Sequence, residues 1–172
     1  MVDDDRPGVA VATRRDTAFA GFYREEVHRL MGFVIKLGAT AHTAADVVQV
    51  AFTQAWVSWD SIHTNPRAWV RTVATRAFQQ QLGVIEVPAE VVPDGRTVLS
   101  AEAEVVLEES TRAVRELIGT LPFAQRLTLA WHLDGFGTAE IAAATGRQEA
   151  AVRQNLHRAR TTLAERVRGG AA

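Results

Sequence analysis

Residues 138–160 read TAEIAAATGRQEAAVRQNLHRAR, and the way this stretch folds decides the class of the protein. Ala142 lies four residues before Gly146, and Val152 follows six residues after it. A small residue lets two helices cross closely, a glycine admits the tight turn between them, and a buried valine anchors the second helix. The spacing predicts a helix-turn-helix. At about 100° per residue, Val152, Leu156, Ala159 and Leu163 fall on one stripe of the second helix. Ala150, Gln154, His157 and Arg158 point the opposite way, with Arg153 on the flank. A face of arginine, glutamine and histidine suits phosphates and base edges in a major groove. The plainer alternative for such a face is the solvated side of an ordinary bundle helix.

Charge is unevenly distributed around this stretch. Between Arg147 and Arg160 four arginines (147, 153, 158 and 160) accompany one acid, Glu149, in a chain of formal net charge −1. From Thr138 to Arg168 the balance is +3. From Ile62 to Leu82 it is +3 again, carried by Arg67, Arg71 and Arg76 with no acid. Between these blocks, Gly83 to Glu109 holds seven acids against Arg96, a balance of −6. Such segregation speaks about partners rather than about fold.

Composition narrows the functional classes. A chain of 172 residues holds one medium domain or two small ones, and 47% hydrophobic residues suffice for ordinary cores. The absence of cysteine excludes disulfides, thiolate zinc sites and cysteine nucleophiles. There is no run of about 18 apolar residues and no basic-then-apolar opening, so no membrane insertion is expected and a cytoplasmic location is. The five histidines (28, 42, 63, 132 and 157) show no metal-ligand spacing. No phosphate-binding loop or paired-carboxylate site stands out, so neither an enzyme nor a cofactor is expected.

Working toward the amino terminus, the apolar pattern stays helical. Phe19, Phe22, Tyr23, Val27, Leu30, Val34 and Leu37 recur at three- and four-residue spacing, with Gly38 as a stop. Thr43 is the expected cap of a second helix with Val47, Val50, Ala51, Ala55 and Trp56 on one side. Asn65-Pro66 opens a third, striped by Trp69, Val73 and Ala77. GVIEVPAEVVPDGRTVLS then has prolines, glycines and no helical period, so it reads as a linker. Further helices are expected over Ala101–Gly119, Pro122–Leu133, Thr138–Thr145 and Gln148 to about Val167. The expected architecture is all-α: a disordered segment 1–15, a helical domain 16–82, an acidic linker 83–100 and a second helical domain 101–168. Trp69 and Trp131 are expected in the cores, and Trp56 half in and half out.

The motifs together resemble a known family. LPFAQRLTLAWHLDGFGTAEIAAATGRQEAAVRQNLHRARTTL is similar to region 4 of bacterial sigma factors of the extracytoplasmic-function group, within the sigma-70 family. AADVVQVAFTQAWVSWD and NPRAWVRTVATRA resemble region 2 of the same family. The likeness runs from about Thr17 to Val167. It implies a promoter-specificity subunit whose partners are core RNA polymerase and promoter DNA, with an anti-sigma factor as a further candidate. Region 2 would meet the coiled coil of the polymerase β′ subunit through Asp46, Gln49, Phe52 and Trp56, and region 4 would meet the β subunit. The −35 element would be read by Arg147, Arg153, Gln154, His157, Arg158 and Arg160, of which Arg153, Gln154, His157 and Arg158 agree with the outward face derived from periodicity. The −10 element would be met by Trp59, His63, Asn65, Arg71 and Arg76. Trp59, beside a short loop, is placed to stack on an unpaired base. An acidic linker suits a basic channel and avoids DNA.

The chain departs from the family pattern in three places. Gln49 is followed by Val50 where an acid is usual, and the loop from Trp59 to Pro66 is about two residues short. TRAFQQQLGV puts Arg76 and Gln80 where Asn and Asp are common, and no basic pair follows. Each missing phosphate contact weakens binding to the upstream −10 region without touching the −35 reader. Two other functions fit the same sequence: a sigma-like regulator that does not initiate alone, and a helix-turn-helix repressor with a helical sensor domain.

Overall fold

The computed structural model describes residues 7–83, 112 and 115–169, with side chains from Thr13 onward. The expected linker 83–100, beyond Gly83, and most of the helix expected over Ala101–Gly119 lie outside the described residues. Among the described residues the elements are helical: α1 (Pro7–Lys36), α2 (Ala41–Val57), a single 3₁₀ turn (Trp59–Ser61) and α3 (Pro66–Gln81). They are followed, after helical residues 115–119, by α4 (Phe123–Leu133), α5 (Thr138–Thr145) and α6 (Glu149–Gly169). Helix α1 begins at Pro7, well ahead of residue 16, where the first domain was expected to start.

Local chemistry sets most of the boundaries. Asn65 caps α3, its Oδ1 accepting from the Ala68 amide at 3.1 Å, and Pro66 occupies the first helical position. The expected cap of α2 was Thr43; the observed one is Thr40, whose Oγ1 accepts from the Thr43 amide at 3.1 Å. The hydroxyls of Thr40 and Thr43 lie 3.0 Å apart, so both threonines belong to the cap, but the helix starts three residues earlier. Gly38 closes α1 with φ at +108°, a region that L side chains avoid. It also touches the second half of the chain, since a Cβ at Gly38 would lie 3.1 Å from Nη1 of Arg126. Burial pushes the Arg126 guanidinium below its usual pKa by desolvation.

Helices α1, α2 and α3 form a three-helix group, and α4, α5 and α6 form a second. In the first, Phe52 inserts among Phe19, Phe22 and Tyr23, with ring centroids 4.8–6.4 Å away in edge-on contacts. Val47, Ala51 and Ala55 of α2 and Val70, Ala74 and Phe78 of α3 are all buried where the two helices pack. In the second, Leu127, Ala130, Ile141, Val152, Leu156 and Ala159 are buried together. The expected stripes supply much of both cores, but α3 buries Val70, Ala74 and Phe78 beside the expected Val73 and Ala77, and Trp56 at the end of the expected α2 stripe is exposed.

The two groups are also docked on one another, and the buried residues run through both as one cluster. Phe33 of α1 meets Trp131 of α4 edge-on at 5.7 Å, and Trp131 meets Phe136 at 4.8 Å. Edge-to-face aromatic pairs contribute about 0.5–1.5 kcal/mol beyond the area they bury. Trp131 is 1% exposed, as expected of a core tryptophan, whereas Trp69 is only half-buried. Around this apolar seam lies a set of charges that periodicity alone does not foretell. Glu26, Arg71 and Asp134 are almost wholly enclosed, with side-chain exposures of 2%, 0% and 7%.

Candidate nucleic-acid interface

The helix-turn-helix is built by ordinary capping chemistry. Glu140 reaches back to accept from the Gly137 amide at 2.8 Å, which starts α5. Gly146, at φ +64°, ends it, and the amides of Gly146 and Arg147 both donate to the Ala142 carbonyl. The chain then enters α6, where Val152, Leu156 and Ala159 are 0%, 5% and 0% exposed and Leu163 is partly buried. This is the predicted stripe.

On the other side of α6, Arg153, Gln154, His157, Arg158 and Arg160 are exposed, and Arg147 is exposed just ahead of the helix. The structure thus brings all six candidate −35 residues to the surface on one element and the turn before it. Two of them are held. Glu149 Oε1 accepts from Arg153 Nη1 at 2.7 Å and from the Thr138 hydroxyl at 2.7 Å, tying the first turns of α5 and α6 to one arginine. Arg160 Nη2 lies 2.6 Å from His132 Nε2. A guanidinium has only donors, so this ring nitrogen is the acceptor and the imidazole proton sits on Nδ1. Gln154, His157 and Arg158 project between these two anchored arginines along the sequence. Among the described residues Glu149 is the carboxylate paired with this set, and the face is cationic and hydrogen-bond rich.

The candidate −10 residues are arranged differently. His63, Asn65 and Arg76 are exposed. Asn65 has its side-chain oxygen committed to the α3 cap and holds φ at +47°. Trp59 is half-buried, with its ring 5.1 Å from Phe19 edge-on and 5.1 Å from Phe22 at a 35° tilt, so its position is fixed by aromatic packing. Arg71 does not fit the expectation of a DNA-facing cation. Its Nη1 donates to Glu26 Oε2 and to the Arg67 carbonyl, both at 2.9 Å, and its Nε and Nη2 both approach Asp134 Oδ2 at 2.7 Å. A guanidinium with no exposed surface cannot touch a phosphate in this form.

Among the candidate polymerase contacts, Asp46 is exposed, Gln49 is half-buried and Trp56 is 37% exposed, all along one side of α2. Phe52 also departs from expectation: it is 4% exposed and forms the centre of the aromatic core, so it supports the surface rather than presenting it. Arg15 covers part of Trp56, with its guanidinium 4.4 Å from the ring centroid and Nη2 donating to the Trp56 carbonyl at 2.6 Å, while Nε pairs with Asp60 at 3.0 Å.

Sequence reasoning passed over Glu26 and Asp134. Glu26 carried a signal, because it falls four residues after Phe22 and four before Leu30, inside an otherwise apolar stripe. Arg71 carried another, three residues before Ala74 and seven before Phe78. Asp134, in the turn after α4, had none. Among the described residues no three His, Asp or Glu side chains converge as metal ligands, and no helix is long and apolar enough to cross a membrane.

Comparison with known proteins gives both halves a counterpart. The family model for sigma-70 region 2 matches residues 22–83, and that for sigma-70 region 4 matches residues 111–163. The chain is 34% identical over 149 residues to the ECF RNA polymerase sigma factor SigJ of Mycobacterium tuberculosis, covering 78% of this chain and 46% of that protein. It thus spans about half the length of that relative. The crystal structure of the same extracytoplasmic function sigma factor superposes with a TM-score of 0.55 at 29% identity, over 84% of this chain and 52% of that one. A likeness of fold alone is found with the sigma factor RpoE in complex with the anti-sigma factor NepR from Bartonella quintana. There the TM-score is 0.65 at 23% identity, over 88% of this chain and 97% of that one.

Proposed function

From the premise that this chain belongs to the sigma-70 family, in its extracytoplasmic-function group, we propose that it is a promoter-specificity subunit of RNA polymerase. The observation that carries the proposal is the exposed face of α6, raised on a buried Val-Leu-Ala stripe in a helix-turn-helix and joined in one chain to a region 2 group. Region 4 lays α6 in the major groove of the −35 element, where Arg153, Gln154, His157 and Arg158 meet base edges and Arg147 and Arg160 meet phosphates. Region 2 offers Asp46, Gln49 and Trp56 to the β′ coiled coil, and region 4 docks on the β subunit. Trp59, His63, Asn65 and Arg76 line the side of region 2 that meets the −10 element. An anti-sigma protein is a natural further partner, as the RpoE complex exemplifies for another member of the fold.

No bond is made or broken by this chain; phosphodiester chemistry belongs to the polymerase, and the work takes place in the cytoplasm. The deciding experiment is transcription in vitro by core polymerase with and without the protein on a library of genomic promoters. Initiation at a defined set of sites supports the proposal. Core binding without open complexes would instead make the protein a regulator. Tight duplex binding with no affinity for polymerase would make it a repressor.

A further inference from the structure

Arginines 147, 153, 158 and 160 are exposed on the helix-turn-helix, and among the described residues Arg153 is the one paired with an acid. Arg160 leans on the uncharged ring of His132, and the Arg158 guanidinium has no hydrogen bond or ion pair among the described residues. An acid on a face that meets DNA opposes binding, because it repels the phosphate backbone. An exposed pair four residues apart on a helix adds little to stability. The first turn of α6 does favour a carboxylate through the helix dipole. That effect alone gives no reason for the second bond, from the Thr138 hydroxyl to the same Glu149 Oε1.

The geometry of the guanidinium supplies the reason. It can offer two nitrogens to a base edge end-on, through Nη1 and Nη2, or side-on, through Nε and Nη2. Nη1 is bound to Glu149 at 2.7 Å, so the side-on pair is the one left, and neither Nε nor Nη2 has a partner among the described residues. The side chain is 60% exposed, which leaves that edge open to the groove. Two parallel donors match two adjacent acceptors on one base edge.

The anchor is itself supported from the other helix of the motif. Thr138 is the first residue of α5 and half-buried, and the Gly137 amide just before it is held by Glu140 at 2.8 Å. The start of α5 thereby fixes Thr138, Thr138 fixes Glu149, and Glu149 fixes Arg153. We propose that Glu149, held by Thr138, is a positioning residue for base recognition, which presents the Nε–Nη2 edge of Arg153 to the groove and opposes phosphate on the same face. That Arg153 meets the −35 element rests on the sigma reading above. Specificity is a difference between two affinities, so weakening the non-specific one raises it. Holding a long side chain in place beforehand also lowers the entropy lost on binding.

The test selects duplexes from a random library with the full chain, alone at low salt and again with core polymerase. Arg153→Ala marks the base position that Arg153 reads, as the one whose preference it flattens. Glu149→Gln is expected to reduce preference at that position roughly twofold to tenfold. Its binding to an unrelated duplex strengthens, with a salt slope steeper by up to about 0.9, the value of one added phosphate contact. Thr138→Val keeps the net charge, so it reduces the same preference by less and leaves the salt slope unchanged, and Thr138→Ser restores the preference. It also serves if Glu149→Gln loses its helical signal. In the Arg153→Ala background neither substitution has a further effect at that position, and the position read by Arg158 stays as it was throughout. Preference that survives both Glu149→Gln and Thr138→Val, with helical content intact, overturns the assignment and leaves Glu149 as a helix-end charge. A change that persists without Arg153 overturns it as well, by making Glu149 itself the reader. If Arg153→Ala flattens no position while the chain still directs initiation, the assignment falls and the sigma reading stands. If the expected shifts occur but the chain never initiates with core polymerase, the assignment stands and the sigma reading falls.

Discussion

Helices α3 and α6 are both arginine-bearing helices of small helical groups, yet they treat their arginines in opposite ways. On α6 the arginines at 153, 158 and 160 stand out from a fully apolar inner stripe. On α3, Arg76 is exposed while Arg71, one turn and a half earlier, is wholly enclosed between Glu26 and Asp134. Periodicity describes each helix against its own group and nothing more. It separates inside from outside on α6 because, among the described residues, that helix packs mainly on its own group. It fails at Arg71 because a second group, distant in sequence, lies over that side.

The largest effect that separates the two helices is expected at Arg71. Arg71→Met keeps the bulk but strands Glu26 and Asp134 without their shared cation, and unfolding in urea should show a loss of roughly 3–5 kcal/mol. A loss below about 1 kcal/mol would mean that the seam is wet or rarely formed, and would dissolve the contrast. At Arg158 the expected effect is on DNA and not on the fold. Arg158→Ala should weaken −35 duplex binding by roughly 1–3 kcal/mol with relaxed preference at one base, while the melting temperature stays put. Uniform weakening over all sequences would reassign Arg158 to phosphate.

Smaller effects sharpen the same comparison. Asn65→Ala removes the α3 cap and puts alanine, which tolerates the left-handed region less well than asparagine, at φ +47°, at a cost of roughly 1–2 kcal/mol in denaturant unfolding. Asn65→Gly should cost only a few tenths of that, since glycine accepts the angle. At the bottom of the scale, Asp46→Ala on exposed α2 should leave stability within about 0.5 kcal/mol, yet lower affinity for core polymerase in a pull-down titration. Equal affinity would remove Asp46 from the interface.

How much could be read before the structure was seen differs by scale. The helices, the Asn65 cap, the Gly146 turn and the Val152–Leu156–Ala159 stripe follow from local rules that act within about one turn. Arg153, Gln154, His157 and Arg158 of the −35 set follow from the same rules, whereas Arg147, which precedes the helix, and Arg160 come only from the family resemblance. The position of Phe52 does not, because Phe19, Phe22 and Tyr23 close over it from another helix. Cap choice between Thr40 and Thr43 turned on which hydroxyl faces the first free amide, a matter of one residue's φ and ψ. The docked seam was least accessible, because Asp134 sits 63 residues from Arg71 and 98 from Lys36. Only the misplaced charges themselves, Glu26 in the apolar stripe of α1 and Arg71 in that of α3, announced that an ion pair had to be buried nearby.

The edge-on meeting of Phe33 with Trp131 has a consequence for measured affinities. Whatever fraction of molecules keeps that contact is withdrawn from any partner that needs the two regions apart. An observed dissociation constant is then the intrinsic one divided by the open fraction. With one molecule in a hundred open, a partner that binds the open form at about 1 nM would register at about 100 nM. A substitution that loosens the seam would therefore mimic a gain of contacts, although it touches neither polymerase nor promoter.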